Sequence, residues 1–135
     1  YLHLADAIYY FWDYAEQIGV ADRILLVVVS DFGRTNMSND RNGNDHWNIG
    51  SYMLMEQGAR WGNRVVGASD ELHFARKINP SSLETSESGI VLTPAHVHRA
   101  VQKYLGIDDF AATNGIALPD VEDIAFFSSS KQTRV

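Results

Sequence analysis

Six apolar residues, Ile24 to Val29, run without a polar break, and polarity begins at Ser30. A half-exposed antiparallel strand would alternate between apolar and polar residues. A continuous Leu and β-branched run instead predicts a strand covered on both faces. Coverage of both faces implies helices packed on a mostly parallel sheet, an α/β fold. In such sheets ligands sit outside the carboxyl ends of the strands. Ser30, Asp31 and Arg34 fall at that edge.

Upstream, Leu4, Ile8, Phe11, Ala15 and Ile18 recur at the spacing of one helix face. Ala5 and Trp12 widen the stripe, while Asp6, Asp13, Glu16 and Gln17 fall largely opposite. Gly19 suits the left-handed position just past a helix end. Helix, short connection and buried strand make one αβ unit. The neighbouring Tyr9, Tyr10, Trp12 and Tyr14 read as packing and helix-face residues rather than a ligand-stacking cluster.

Between Thr35 and His46 the pattern inverts. Asn36, Ser38, Asn39, Asp40, Asn42, Gly43, Asn44 and Asp45 offer almost nothing to bury and predict a loop. Trp47, Ile49, Tyr52, Met53 and Met55 fit neither helical nor strand period cleanly and predict a short strand or a helix turn. Val65-Val66 and Leu72 to Ala75 are short strand candidates, and residues 79 to 89 read as an exposed loop. Thr93 as cap and Pro94 at the first position start a second helix, with Val97, Val101, Tyr104 and Leu105 as its buried face and Gly106 as its end. Residues 107 to 127 read as irregular, apart from the apolar segment Ile124 to Phe127, and the polar tail from Ser128 onward as frayed. No internal repeat divides the chain, so residues 1–135 read as a single α/β domain or the C-terminal fragment of a larger one.

Composition removes several function classes. A formal net charge of −6, spread along the chain, argues against non-specific nucleic-acid binding. The absence of cysteine excludes disulfides and thiolate metal sites. No apolar run approaches the ~20 residues that span a bilayer as a helix. The first residue is Tyr1, within a helical pattern, which reads as a fragment or a processed chain.

Asp31 at the strand end and Asp45-His46 after the polar loop form the strongest chemical constellation. A carboxylate and an imidazole delivered by two loop edges suit a divalent metal such as zinc or manganese. The same residues also fit a plain structural reading, with Asp31 capping the next turn and His46 at the surface. Arg34 follows Gly33 and can clamp a phosphate, sulfate or carboxylate with parallel hydrogen bonds. An ion pair with Asp31 or Asp45 is the alternative. His96 and His98, two apart, fall on different faces of a helix and make no metal pair. Ser30 lacks the Gly-x-Ser-x-Gly elbow of a nucleophile. The chain has neither a P-loop nor Gly-x-Gly-x-x-Gly.

Val29-Ser30-Asp31-Phe32-Gly33-Arg34-Thr35, followed by Gly43-Asn44-Asp45-His46, resembles the motif pair of the bacterial family called "domain of unknown function 1501". The Phe11-Trp12 helix with Gly19 and Asp22-Arg23, the segment Gly62 to Gly67, and Leu92-Thr93-Pro94 with Tyr104 to Ile107 resemble the family's flanking parts. That family is similar to the alkaline phosphatase and sulfatase superfamily. The resemblance therefore implies an alkaline-phosphatase-like α/β sheet, of which this chain is the C-terminal portion only. It implies phosphate- or sulfate-ester hydrolysis at a divalent metal, whether zinc, manganese or calcium. Asp31 and His46 match metal ligands, and Phe32 stands where the superfamily has a histidine. Arg34 and Asp45 match family motif positions to which the resemblance assigns no role; Arg34 reads as a substrate-anion contact or a support behind the ligands, and Asp45 as such a support. The nucleophile and remaining ligands belong to a missing N-terminal portion of the same protein, so the segment alone is expected to be inactive. The resemblance also implies an exported or periplasmic protein. Phe32 in place of histidine keeps open a non-catalytic binding or assembly module.

Overall fold

The computed structural model describes residues 2–128, and the predicted frayed tail lies almost wholly outside them. Helix α1 spans Leu2–Gln17. Its C-terminus closes as the glycine predicts: Gly19 takes φ +70°, its N–H donates to Glu16 O at 3.0 Å, and Val20 N–H reaches back to Ala15 O at 2.9 Å. This pair of bonds satisfies carbonyls that the helix end would leave open. The apolar stripe is only lightly covered. Ala15 is buried and Ile8 and Trp12 are half-buried, but Leu4, Phe11 and Ile18 remain exposed.

A 3₁₀ turn, Ala21–Arg23, leads into β1, Leu25–Val29. The chain then forms β2 (Gly33–Arg34), a loop over residues 35–45, β3 (His46–Trp47) and β4 (Tyr52–Glu56). β1 pairs antiparallel with β4, from Leu25 opposite Glu56 to Val29 opposite Tyr52, and β2 pairs antiparallel with β3. The result is one long, interrupted β-ribbon whose polar loop forms its tip.

This topology corrects the expected fold. Among the described residues there is no parallel sheet, so the α/β, alkaline-phosphatase-like architecture does not describe this structure. The expectation rested on the unbroken apolarity of residues 24 to 29. A parallel neighbour needs a long crossover, usually a helix, between the strands. Here the segment after β1 is a turn-rich polar loop that sends the chain straight back beside it. Residues 25 to 28 are half-buried and Val29 is exposed, so helices do not cover both faces. Apolarity specified a strand but not the direction of its neighbour.

The core lies in the C-terminal half. Val97 and Ala100 of helix α2 (Pro94–Tyr104) meet Ile124 and Phe126, with Tyr52 and Leu54 of β4 packed against them. α2 begins at Thr93 and Pro94 as expected, with His96 in the role usually held by Glu or Gln: its Nδ1 accepts the Thr93 N–H at 3.1 Å. Because Nδ1 is an acceptor there, Nε2 carries the proton and donates to Glu122 at 3.3 Å. That bond holds the Glu122 carboxyl below the usual carboxylate range. One turn along, Lys103 and then Arg99 do the same for Asp123. These contacts tie the C-terminal segment to α2. Residues 108–113, expected to be irregular, form a short helix, α3 (Asp108–Thr113), with Ala111 buried. Val65-Val66 and Leu72 to Ala75 form no strand; Leu72 and Phe74 instead ride on a turn capped by the Asp70 carboxylate.

Candidate functional site

Asp31 lies between β1 and β2, Arg34 on β2, and Asp45 and His46 where the polar loop enters β3, and two glycines let the arms of the ribbon approach closely. A β-carbon on Gly50 would stand 2.5 Å from Ser30 O, and one on Gly33 would collide with Ile49 O. The two arms therefore cross at backbone contact distance between the paired regions, where Ser30 N–H donates to Ser51 O at 2.9 Å. Asp31 sits at this crossing. Its Oδ1 accepts the N–H of Phe32 at 3.0 Å, while the Ser30 hydroxyl donates to Phe32 O at 3.0 Å.

Beyond the crossing, Arg34 lies directly opposite His46 in the antiparallel pair. Residues two apart in a strand share a face, and Phe32 accordingly lies against both. Its ring stacks on the His46 imidazole at 3.9 Å between centroids, and the Arg34 guanidinium carbon lies 5.1 Å from the Phe32 centroid. Stacking of this kind orients an imidazole while leaving its ring edge, where both nitrogens lie, available to a ligand. Asp31, Arg34, Asp45 and His46 are all exposed to solvent.

The loop that carries Asp45 is tightly organised. Asn39 Oδ1 accepts the N–H groups of Arg41 and Gly43, and its amide donates to Asp45 Oδ1 at 2.7 Å. Asn44 donates to Thr35 O at 2.7 Å, and the Thr35 hydroxyl accepts the Asp45 N–H at 3.1 Å. Arg34 donates to Asn44 O at 3.1 Å, so its ordered contact is to this carbonyl rather than to the Asp31 or Asp45 carboxylate. On the opposite face Trp47 donates to His73 O and packs edge-on against Phe74 at 5.1 Å, bracing the tip from behind.

The donor types expected of a metal site are present, but among the described residues they do not form a cluster. Asp31 and His46 present a carboxylate and an imidazole, a donor set that suits zinc or manganese better than all-oxygen calcium. Among the described residues no three His, Asp or Glu side chains converge to hold an ion. His96 and His98 do not converge either: the first is buried in its cap and the second faces Tyr52 OH at 3.4 Å. A hollow of about 260 Å³ lies between α2 and the C-terminal segment, lined by Lys103, Tyr104, Asp123 and Phe127.

The sequence reading named Asp31, Arg34, Asp45 and His46 as candidates but not the contacts around them: the Phe32 platform, the Thr35–Asn39–Asn44 brace and the Gly33–Gly50 approach. The one visible signal was the density of Asn and Gly after Thr35, which marks turn chemistry without identifying the bonds. A family model described as protein of unknown function (DUF1501) matches residues 3–120. No curated protein and no solved structure matches the chain.

Proposed function

The chain belongs to the DUF1501 family, and on that premise we propose that its ribbon tip contributes half of a divalent-metal site for hydrolysing phosphate or sulfate esters. In this reading the chain is the C-terminal portion of the working enzyme, and a preceding portion of the same protein supplies the nucleophile and remaining ligands. The supporting observation is the pairing of Arg34 with His46 across β2 and β3, with the Phe32 ring against both and Asp31 next to Phe32 in the chain.

Asp31 offers the oxygen that is not committed to the Phe32 N–H, and His46 offers its ring edge. Arg34 holds a permanent positive charge and keeps donors beyond the one spent on Asn44 O, so it can orient an ester's anionic oxygens. Asp45, held by Asn39, fixes the loop from which His46 projects. A bound divalent ion would polarise the ester oxygen and offset the charge that develops as the bond breaks. The relation to alkaline phosphatases and sulfatases, and an exported location, belong to this proposal. Both rest on the motif residues alone.

The test is metal content together with hydrolysis of p-nitrophenyl phosphate and p-nitrophenyl sulfate by the full-length protein. Bound metal should be lost in Asp31→Ala and His46→Ala variants that keep their circular dichroism. The 135-residue segment alone should show no turnover. Turnover by that segment, or a metal-free and active full-length protein, would refute the reading. A second reading, a non-catalytic binding or assembly module, is favoured by Phe32 standing where the resemblance expects a histidine ligand. Under it, both alanine variants leave metal content and stability unchanged.

A further inference from the structure

Asparagine followed by glycine cyclises readily, because glycine has no β-carbon to keep its main-chain nitrogen away from the preceding side chain. The chain holds two such pairs, Asn42-Gly43 in the polar loop and Asn114-Gly115 at the end of α3. In the reaction the glycine nitrogen gives its proton to a base and bonds to the asparagine Cγ. The Cγ–Nδ2 bond breaks and ammonia leaves, giving a succinimide. Water then opens the ring at either carbonyl, to aspartate or to isoaspartate. One water is consumed and one ammonia released, and nothing is oxidised or reduced.

The two pairs are restrained on opposite sides of the reaction. At Asn114 the carboxamide is held: Nδ2 donates to Phe110 O at 2.8 Å, while the Gly115 N–H makes a long contact of 3.4 Å to Ala112 O. At Asn42 the restraint falls on the glycine. The Gly43 N–H donates to Asn39 Oδ1 at 3.1 Å, and Gly43 O accepts the Asn39 N–H at 2.7 Å. Asn39 is itself fixed, because the same Oδ1 accepts the Arg41 N–H at 3.0 Å and Nδ2 donates to Asp45 Oδ1 at 2.7 Å.

We propose that Asn42-Gly43 is a deamidation site kept closed by Asn39, whose side-chain oxygen holds the proton that must leave before the glycine nitrogen attacks. The nitrogen cannot swing toward Cγ without breaking its bond to Asn39, and the held N–H is shielded from a base in solvent. Conversion would set a new carboxylate between Asp40 and Asp45 in the chain. Isoaspartate would also lengthen the main chain by one atom ahead of His46. Asn39 therefore preserves both the charge and the length of the loop that leads into β3. The inference goes beyond the metal reading and does not depend on it, since no ligand takes part.

The test incubates the full-length protein at mildly alkaline pH and then maps its peptides at acidic pH. Fragment ions locate each conversion, and an isoaspartate methyltransferase labels the isoaspartate. A synthetic peptide of residues 38–46 is the unrestrained reference. Wild-type Asn42 should convert more slowly than the peptide. Asn39→Ala should speed conversion at Asn42 by about two- to tenfold, the range set by one lost hydrogen bond, and leave Asn114 unchanged. Adding Gly43→Ala to Asn39→Ala should slow it again, because a β-carbon then stands beside the attacking nitrogen. Conversion of wild-type Asn42 as fast as in the peptide overturns the inference, as does an unchanged rate at Asn42 in Asn39→Ala. Equal acceleration at Asn42 and Asn114 would make the fold as a whole the guard instead of Asn39, and overturns it too.

Discussion

Replacing Gly50 by alanine tests whether the two arms of the ribbon truly cross at backbone contact. Gly50 has no positive φ, so the backbone accepts alanine, and any cost is steric. The new β-carbon would lie 2.5 Å from Ser30 O, against an ordinary contact near 3.4 Å, so the arms must part by about 0.9 Å. Neither group is the far end of a flexible side chain. Parting them stretches the adjacent Ser30 N–H to Ser51 O bond from 2.9 Å toward about 3.8 Å, past the length of a useful hydrogen bond. Loss of one such bond costs about 0.5–1.5 kcal/mol, and overpacking strain adds about 1–3 kcal/mol when it is not relieved. Relief trades one term for the other, so a loss of about 1–3 kcal/mol is expected. Gly43→Ala is the internal control. Its β-carbon would meet Asn39 Oδ1 at 3.7 Å, an ordinary contact, and its φ is not positive. It should be neutral or gain about 0.4–1 kcal/mol through the unfolded chain. Urea unfolding followed by tryptophan fluorescence reads both variants. The His46 ring protons, shifted by the stacked Phe32, report whether the tip moves. Equal stability of Gly50→Ala and Gly43→Ala would refute the crossing.

Three further outcomes follow from named contacts. Ile78 is 0% exposed and its backbone bridges to Thr85 and Ile90, so Ile78→Ala should cost about 2–5 kcal/mol in urea, while Ile78→Val should cost only about 0.5–1.5 kcal/mol. The Asp123 carboxyl is held below its ordinary 3.8 by Lys103 and then Arg99. Its contribution is therefore complete above that value and is lost as pH falls through the lower folded value. Asp123→Asn should flatten the stability profile below about pH 4 and lower the plateau above it, as read by urea midpoints across pH. Arg34→Ala removes a bond to Asn44 O and a contact with the Phe32 ring, and should cost about 0.5–1.5 kcal/mol because both are exposed. Under the metal reading it should also weaken inorganic phosphate binding by the full-length protein, measured by calorimetry. Unchanged phosphate binding would make Arg34 a loop anchor only.

Local patterns carried the features that depend on near neighbours. The α1 stripe, the Gly19 stop, the Thr93–Pro94 start, the strand at residues 25 to 29 and the polar loop after Thr35 are all written in short stretches. Each depends on backbone propensity or on groups a few residues apart, and these act the same way in any context. Asp31, Arg34 and His46 could be named as candidates for the same reason, because chemistry resides in residue type.

Tertiary structure decided what those patterns leave degenerate. An unbroken apolar strand has the same composition beside a parallel or an antiparallel neighbour, so the pairing of β1 with β4 had to come from the path of the chain. Nothing in the sequence says that Phe32 will stack on a histidine fourteen residues later, or that Gly33 and Gly50 mark one crossing. Those contacts depend on register, and register is a property of two segments together. The buried face of α2 was only partly foreseen, because Val97 found a core at Ile124 and Phe126 while Leu105 did not. The sequence by itself determined which residues are helical, extended or polar, because those choices are local energies. The structure alone determined which of them meet, because meeting requires distant segments to fit in space.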